Sequence, residues 1–228
     1  MKTIGILGGL GPEATVEYYT YITRKYYEIH ANYDHPEIII YSVRSGEYLG
    51  SNFELPDKPA KIRAVIEKLH LAGADFVIGA CNTLHVVYDE VSKDIPIPWI
   101  SIMDATAEAI IKKGVNRVGL LGTCITTKND FYQKALAEHG IETITPGSQV
   151  LEKIDEIIFN ELIRAVVTKE SKQYVLGCID ELKQRGAQGI VLGCTELPFL
   201  IKQEDIDIHL FPTTTIHAQK ALDLALED

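Results

Sequence analysis

The sequence predicts an α/β fold of two pseudo-symmetric lobes, each a parallel β-sheet flanked by helices. Short apolar runs alternate with stretches of helical periodicity, which is the pattern of a parallel sheet with helices on both faces. Several of these elements also recur in the same order later in the chain, which indicates two lobes built on one plan. Because ligands of such sheets bind beyond the carboxyl ends of the strands, we expect the active site in the cleft between the lobes.

The predicted strands are short apolar runs bounded by polar residues. They cover residues 3–7, 38–41, 76–78, 99–102, 118–121, 189–192 and 208–211. Between two of them, the stretch KPAKIRAVIEKLHLAG places Ile62, Val65, Ile66 and Leu69 on one face of a helix. Gly73 follows that helix as a stop signal.

The internal repeat is clearest around two cysteines. GADFVIGACNT begins at Gly73 and GAQGIVLGCTE begins at Gly186, so that Cys81 and Cys194 occupy equivalent positions with an offset of 113 residues. The strands TIGILGG and RVGLLGT repeat with an offset of 114 residues. The predicted lobes are residues 1–98 together with 211–228, and residues 99–210.

The composition excludes several classes of protein. The chain has 228 residues, a net charge of −10 and no basic run, which argues against binding to nucleic acid or an anionic membrane surface. No stretch approaches the roughly 18 consecutive apolar residues of a membrane-spanning helix. The first residues read as a strand rather than a signal peptide, and the four cysteines form neither a disulfide framework nor a CxxC zinc motif. We therefore predict a cytoplasmic protein with free thiols.

Each predicted cysteine strand delivers a thiol followed directly by polar residues. Asn82 and Thr83 follow Cys81, and Thr195 and Glu196 follow Cys194. A cysteine that only fills a core needs no polar neighbours, because buried polar groups must find partners. The pattern therefore favours two functional thiols over two structural ones, whereas Cys124 and Cys178 lack this pattern and are assigned no chemistry.

Two thiols on opposite walls of a cleft suit the inversion of a stereocentre. One thiolate removes the α-proton of an amino acid, and the other thiol returns a proton to the opposite face. A free cysteine has a pKa of about 8.5, so modest changes in its surroundings favour either form.

The sequence resembles the cofactor-independent aspartate/glutamate racemase family over essentially the whole chain. The matching motifs are MKTIGILGGLGPEAT, ACNTLH, GLLGT, IIFNEL and GCTEL. The resemblance implies catalysis by Cys81 and Cys194, with substrate held by residues 82, 83, 195 and 196. It also implies a homodimer that uses neither pyridoxal phosphate nor metal, and a small acidic amino acid as substrate. GCTE is similar to the aspartate branch, whereas glutamate racemases typically have GCTH, so aspartate is the first choice.

Further substrate-binding candidates come from the same strand ends and from the resemblance. They are Gly11, Arg44, Asn52, Thr123, Thr127 and Arg164. Arg164 lies where a basic residue grips substrate in some aspartate racemases, and a solvated helix cation is the alternative. The threonines serve equally well as helix N-caps. His85, four residues after Cys81, is a candidate for tuning the thiolate or a histidine of the helix face.

Four alternative functions stay open. An isomerase of the same superfamily, such as a maleate cis-trans isomerase, also uses a cysteine pair. GLGPEA fits the dinucleotide fingerprint of an oxidoreductase, with Arg44 as a phosphate partner, but that leaves both thiol motifs unexplained. A non-catalytic ligand-binding protein would not need the thiols. A zinc site from Cys81, His85 and Cys194 is the last alternative.

Overall fold

The computed structural model describes residues 1–49 and 57–227. The chain divides into two compact units, Met1–Ile102 with Thr214–Asp228 and Met103–Thr213. The lobe limits inferred from the repeat stay a prediction about domain organisation.

The first unit contains a parallel four-stranded sheet. Its strands are β1 (Ile4–Gly8), β2 (Ile38–Ser42), β3 (Phe76–Gly79) and β4 (Trp99–Ile100). They lie in the order β2-β1-β3-β4, and β1 pairs in parallel with both β2 and β3. Every residue of β1 and β3 is buried, because both faces of a central parallel strand are covered.

The second unit contains a sheet on the same plan. Its strands are β5 (Arg117–Leu121), β6 (Glu142–Ile144), β7 (Gly189–Leu192) and β8 (His209–Pro212). Their order, β6-β5-β7-β8, reproduces the order of the first sheet strand for strand, and all pairs are again parallel. The two parallel sheets flanked by helices confirm the predicted fold class.

Helices follow most of the strands and cover the sheets. They are α1 (Pro12–His30), α2 (Gly46–Leu49), α3 (Lys58–Leu71), α4 (Tyr88–Val91), α5 (Ile102–Lys112), α6 (Cys124–Lys128), α7 (Phe131–Glu138), α8 (Ser148–Asn160), α9 (Lys169–Gln184), α10 (Leu197–Leu200) and α11 (Thr213–Leu226). Short 3₁₀ helices occupy Asn82–Val87, Leu162–Arg164 and Gln203–Asp205. In the described part of the chain, no helix combines the length and the apolar character needed to cross a bilayer.

Two strand predictions differ from the structure. The run at residues 99–102 was expected to be one strand, but β4 ends at Ile100 and Ile102 already begins α5. Ile102 is fully buried in that helix, so apolarity alone does not separate strand from helix here. Strand β6, a three-residue edge strand without an apolar run, was not among the predicted strands.

The repeat extends to individual hydrogen bonds. Gly73 and Gly186 end α3 and α9 with φ of +104° and +95°, a region open mainly to glycine. Each glycine N–H donates to a carbonyl three residues earlier, and the next N–H donates to one five residues earlier. Asp75 and Gln188 are also equivalent in the repeat. The Asp75 side chain accepts from the Thr3 N–H, just before β1, at 2.6 Å, and the Gln188 side chain accepts from the Asn116 N–H, just before β5, at 3.0 Å. Equivalent sequences therefore form equivalent helix-to-strand connections.

Gly9 brings the end of β1 against the chain that leaves β2. Its φ is +88°, and a Cβ there would lie 2.7 Å from the backbone nitrogen of Val43 and in still closer contact with the Val43 carbonyl oxygen. Neither atom can move away without displacing the strand. Only glycine therefore fits this position.

Gly9→Ala is expected to lower the free energy of unfolding by about 2 kcal/mol or more, because a positive φ and a backbone clash add. Urea unfolding measures this. Gly177→Ala is the matched control: Gly177 lies within α9 with open space around a Cβ, and alanine there should stabilise by about 0.5–1 kcal/mol. Equal stability of Gly9→Ala and the native protein would contradict the packing described here.

Candidate active site

In the first unit, the carboxyl ends of β1, β2 and β3 lie at one edge of the sheet. The N–H of Val43, after β2, donates to the Gly8 carbonyl at 3.0 Å. The N–H of Ala80, after β3, donates to the Leu7 carbonyl at 2.9 Å. The glycine-rich turn after β1, the chain after β2 and the cysteine after β3 are therefore neighbours, as expected for parallel strands.

Cys81 is the point at which this edge changes from strand to 3₁₀ helix. Its backbone is extended, with φ −166° and ψ 127°, and the helix Asn82–Val87 begins at the next residue. The cysteine is half-buried and packs against the apolar core between the sheet and α3. Asn82 and Thr83 are buried beside it. Cys81 is thus the most accessible residue of the ACNT motif.

His85 holds the backbone of Cys81 rather than pointing at open space. Its Nε2 lies 3.3 Å from the backbone nitrogen of Ile102, and its Nδ1 lies 3.1 Å from the Cys81 carbonyl oxygen. A backbone N–H only donates, so Nε2 accepts, and Nδ1 carries the proton that it donates to Cys81. The ring is buried against Trp99 at 4.8 Å. His85 therefore ties the cysteine loop to the start of α5.

Lys58 is a residue of this site that was not predicted from the sequence. It is the first residue of α3 and is only 3% exposed. Burial lowers its pKa, and its electrostatic interaction with Cys81 acts in the opposite direction. Nothing in its sequence context signals this, since a lysine at a helix start ordinarily reaches water. The structure thus brings a cation within electrostatic reach of the Cys81 sulfur.

In the second unit, Cys194 follows β7 beside the end of β5. The N–H of Gly193 donates to the Leu121 carbonyl at 2.7 Å, which aligns the two strand ends. Cys194 is buried, and its thiol donates to Oε2 of Glu196 at 2.9 Å. The Thr195 hydroxyl donates to the same oxygen at 2.7 Å. Within the GCTE motif, the Glu196 carboxylate therefore accepts hydrogen bonds from the side chains of both Cys194 and Thr195.

Thr123 and Thr127 lie at the start of α6, next to this strand end. Thr123 is the N-cap of α6: its hydroxyl accepts from the Thr126 N–H at 3.4 Å. The Thr127 hydroxyl donates to the Thr123 carbonyl at 2.9 Å. Thr123 thus has the N-cap role considered as the alternative above, whereas the Thr127 hydroxyl bonds back to the carbonyl at the helix start. Their contact with substrate stays a prediction.

The remaining substrate-binding candidates lie at different places in the fold. Gly11 is the N-cap of α1 and has φ of +143°, a value that favours glycine. The Arg44 side chain is 88% exposed and pairs with Glu47 at 3.1 Å. Arg164 is exposed at the end of a 3₁₀ helix. Asn52 lies outside the described residues. The roles predicted for all four stay predictions.

The IIFNEL motif has a structural task beside Arg164. Glu161 accepts from the hydroxyls of Ser171 at 2.6 Å and Thr168 at 3.1 Å. Thr168 is itself the N-cap of α9, accepting from the Ser171 N–H. The motif thereby joins the end of α8 to the start of α9.

The two other cysteines carry hydrogens at neutral pH. Burial, and secondarily Glu181, raises the pKa of Cys178 to about 11. Burial, and secondarily Asp155, raises the pKa of Cys124. None of the four cysteines forms a disulfide. Because the thiolate is the nucleophile and base, Cys124 and Cys178 are poorly suited to chemistry.

The histidine of the alternative zinc site is a poor metal ligand in this structure. Both ring nitrogens of His85 are engaged by backbone groups, so the imidazole has no lone pair to offer a metal. Over residues 1–49 and 57–227, no group of three histidine, cysteine, aspartate or glutamate side chains is arranged to hold a metal ion.

Comparisons with known proteins agree with this architecture. The family model described as Asp/Glu/hydantoin racemase matches residues 7–221. The chain is 38% identical to the solved structure of an aspartate racemase homologue from Pyrococcus horikoshii OT3, with a TM-score of 0.88 and complete coverage of both chains.

Two relatives with assigned activities are also similar. One is the broad-specificity amino-acid racemase RacX of Bacillus subtilis (strain 168), 26% identical over 225 residues and covering 96% of each chain. The other is the glutamate racemase of Aquifex pyrophilus, 28% identical over 192 residues that cover 79% of this chain and 71% of the relative.

Proposed function

The chain belongs to the Asp/Glu/hydantoin racemase family, and we propose that it interconverts L- and D-aspartate with two cysteines as the only acid and base. One observation carries the proposal. Equivalent strand ends of two units with the same strand order each bear a cysteine followed by polar residues, Cys81 and Cys194. Aspartate is preferred because of the GCTE motif and the similarity to an aspartate racemase homologue.

The proposed reaction moves two protons and no other atoms. A thiolate removes the proton from the α-carbon and becomes a thiol, leaving a carbanion stabilised by the adjacent carboxylate. The other thiol donates its proton to the opposite face of the α-carbon and becomes a thiolate. The product has inverted configuration, and the two sulfurs have exchanged protonation states. The proposal requires both sulfurs to reach opposite faces of one substrate.

Family membership disfavours the alternatives without deciding the substrate. A nucleotide-dependent oxidoreductase and a non-catalytic binding protein both lie outside an amino-acid racemase family, and a maleate isomerase is the alternative that would retain the two thiols. Glutamate stays the second candidate, because relatives include a glutamate racemase and a broad-specificity racemase. One methylene in a fitted pocket is worth only about 1–3 kcal/mol of discrimination. A homodimer in the cytoplasm, without nucleic-acid or membrane partners, stays part of the proposal.

The test is an assay in D₂O of each enantiomer of aspartate and glutamate, after exhaustive dialysis against chelator and without added cofactor. Both enantiomers of aspartate should converge on equal amounts of each, and the product should carry deuterium at the α-carbon. Chiral chromatography and proton NMR measure the two effects. Activity that required pyridoxal phosphate or metal would contradict the mechanism. Conversion of maleate without exchange of any amino-acid α-proton would favour the isomerase.

A further inference from the structure

We propose that the two cysteines carry different charges at rest: Cys81 is a thiolate stabilised by the Lys58 ammonium, and Cys194 is a thiol that donates to the Glu196 carboxylate. The catalytic meaning of this difference rests on the proposed function. The charge difference itself does not, because each pair lies within one unit and exists without substrate.

The first pair is a buried lysine and the cysteine with which it interacts electrostatically. Lys58 is 3% exposed, and the helix that it begins packs through Ile62 and Ile66 into the apolar core that Cys81 also contacts. Charge on the Cys81 sulfur favours the protonated form of Lys58, opposing the effect of burial. The interaction is reciprocal, so the ammonium favours the thiolate form of Cys81 by the same amount.

The second pair has the opposite polarity. An ionised carboxylate has no hydrogen to donate, so the hydrogen between Cys194 Sγ and Glu196 Oε2, which are 2.9 Å apart, belongs to the sulfur. Loss of that hydrogen would leave a thiolate facing a carboxylate. Burial of both residues strengthens this repulsion, because little water separates or screens the charges. The Glu196 carboxylate therefore keeps Cys194 in the thiol form.

The charged residues Lys58 and Glu196 have no charged equivalents in the repeat. With the offset of 113 residues, the position equivalent to Lys58 is Ser171, and the position equivalent to Glu196 is Thr83. Ser171 is uncharged and donates to Glu161 at the start of α9. Lys58 and Glu196 therefore each have an uncharged equivalent in the other unit.

This asymmetry gives the reaction a defined starting form. A turnover that begins at Cys81 ends with a thiol at Cys81 and a thiolate at Cys194. Lys58 and Glu196 both favour the reverse arrangement, so they promote the return, in which Cys194 takes a proton from water and Cys81 releases one. Lys58 and Glu196 are in this sense positioning residues that act through the cysteines.

The experiment is iodoacetamide labelling of the substrate-free protein from pH 5 to pH 9, with the rate at each cysteine followed by peptide mass spectrometry. The thiolate sulfur displaces iodide, so each rate follows the thiolate fraction. Cys81 and Cys194 differ in exposure, so the midpoints of their pH profiles are compared rather than absolute rates. We expect the Cys81 midpoint to lie below the Cys194 midpoint, and Cys124 and Cys178 to label only at alkaline pH.

Two variants should move the two profiles separately. Lys58→Met should slow Cys81 labelling at pH 7 by about tenfold, equivalent to one pKa unit, and leave Cys194 within about twofold. Glu196→Gln should speed Cys194 labelling by about tenfold and leave Cys81 within about twofold. Lys58→Arg retains the positive charge, so Cys81 should be labelled at the native rate in this variant. Lys61→Met, on the same helix but paired with Asp57, is the matched control and should move neither profile.

A Cys194 midpoint at or below that of Cys81 in the native protein would overturn the proposal, even if no variant folds. An unchanged Cys81 profile in folded Lys58→Met would overturn the role of Lys58, and an unchanged Cys194 profile in Glu196→Gln would overturn that of Glu196. Failure of the proposed racemase function can be distinguished from failure of the proposed charge difference. A protein that labels as expected but does not racemise amino acids refutes the function alone, and an active racemase with coincident profiles refutes only the charge difference.

Discussion

Replacement of Cys81 or Cys194 by alanine is expected to slow the racemisation of aspartate by about 10²–10⁴-fold, because each variant lacks either the base or the acid of the reaction. Chiral chromatography of L- and D-aspartate incubations measures the loss. Cys124→Ala is the matched control, since the raised pKa of Cys124 and its position at the start of α6 give it no part in the proposed proton transfers. That variant should retain native activity within about twofold.

The two alanine variants should fail differently. Each retains one thiol, which can still remove the α-proton of whichever enantiomer presents its hydrogen to that sulfur. With β-chloroaspartate, loss of this proton expels chloride, so the reaction proceeds without a second acid and releases oxaloacetate and ammonia after hydrolysis. One variant should therefore eliminate chloride chiefly from the L enantiomer and the other chiefly from the D enantiomer. Chloride release follows both reactions.

The pH dependence of elimination links this experiment to the charges of the site. In Cys194→Ala, the surviving Cys81 keeps its electrostatic interaction with Lys58 and should act as a base at neutral pH. In Cys81→Ala, the surviving Cys194 must lose its proton beside Glu196, so elimination should rise only at higher pH. Elimination from the same enantiomer by both variants, or racemisation by either at the native rate, would contradict the two-base mechanism.

Most of the fold could be predicted because its signals are local. Apolar runs and the helical periodicity around Ile62 and Leu69 depend on near neighbours in the chain, and both residues are buried where the pattern predicts. The repeat then predicted two sheets of one design. The missed strand β6 lies at a sheet edge and pairs only with β5, so its sequence, ETI, carries little apolar signal.

The thiols at the strand ends were equally visible in the sequence, but their partners were not. Cys81 and Cys194 could be singled out because polar residues interrupt an apolar run at the same point of each repeat. The electrostatic interaction between Lys58 and Cys81 depends instead on how α3 packs against the sheet, over a separation of 23 residues. Nothing in the residues around Lys58 signals that packing, and a lysine at the first turn of a helix is ordinarily solvated.

His217 is a second residue that only the structure distinguishes. It lies on α11 and is completely buried. Its Nε2 donates to the Ile100 carbonyl at 3.1 Å, and its Nδ1 therefore accepts from the Tyr18 hydroxyl at 2.9 Å. Burial, and secondarily the neighbouring His85, lowers the pKa of His217 from 6.5 to about 3, while the bond to Ile100 partly opposes this. The fold thus holds a neutral imidazole between β4 and α1.

This buried histidine should make the protein markedly less stable in acid. Between pH 6.5 and pH 3, the unfolded chain binds a proton at His217 and the folded chain does not, so the free energy of unfolding falls as pH falls through that window. From this group alone, the loss between pH 6.5 and pH 4 should be about 3 kcal/mol. Urea unfolding at a series of pH values measures the slope.

The variant that isolates this contribution is His217→Gln, which keeps a polar side chain but cannot titrate. It should be less stable at pH 7.5, because it disturbs two buried hydrogen bonds, yet its stability should fall less steeply between pH 6.5 and pH 4. His70→Gln, which replaces an exposed imidazole on α3, measures the contribution of a solvated histidine for comparison. The slope rather than the absolute stability is decisive, because it counts the protons taken up on unfolding. Parallel pH profiles for the native protein and His217→Gln would mean that His217 takes up no proton on unfolding, and its assignment as a buried neutral imidazole would then be wrong.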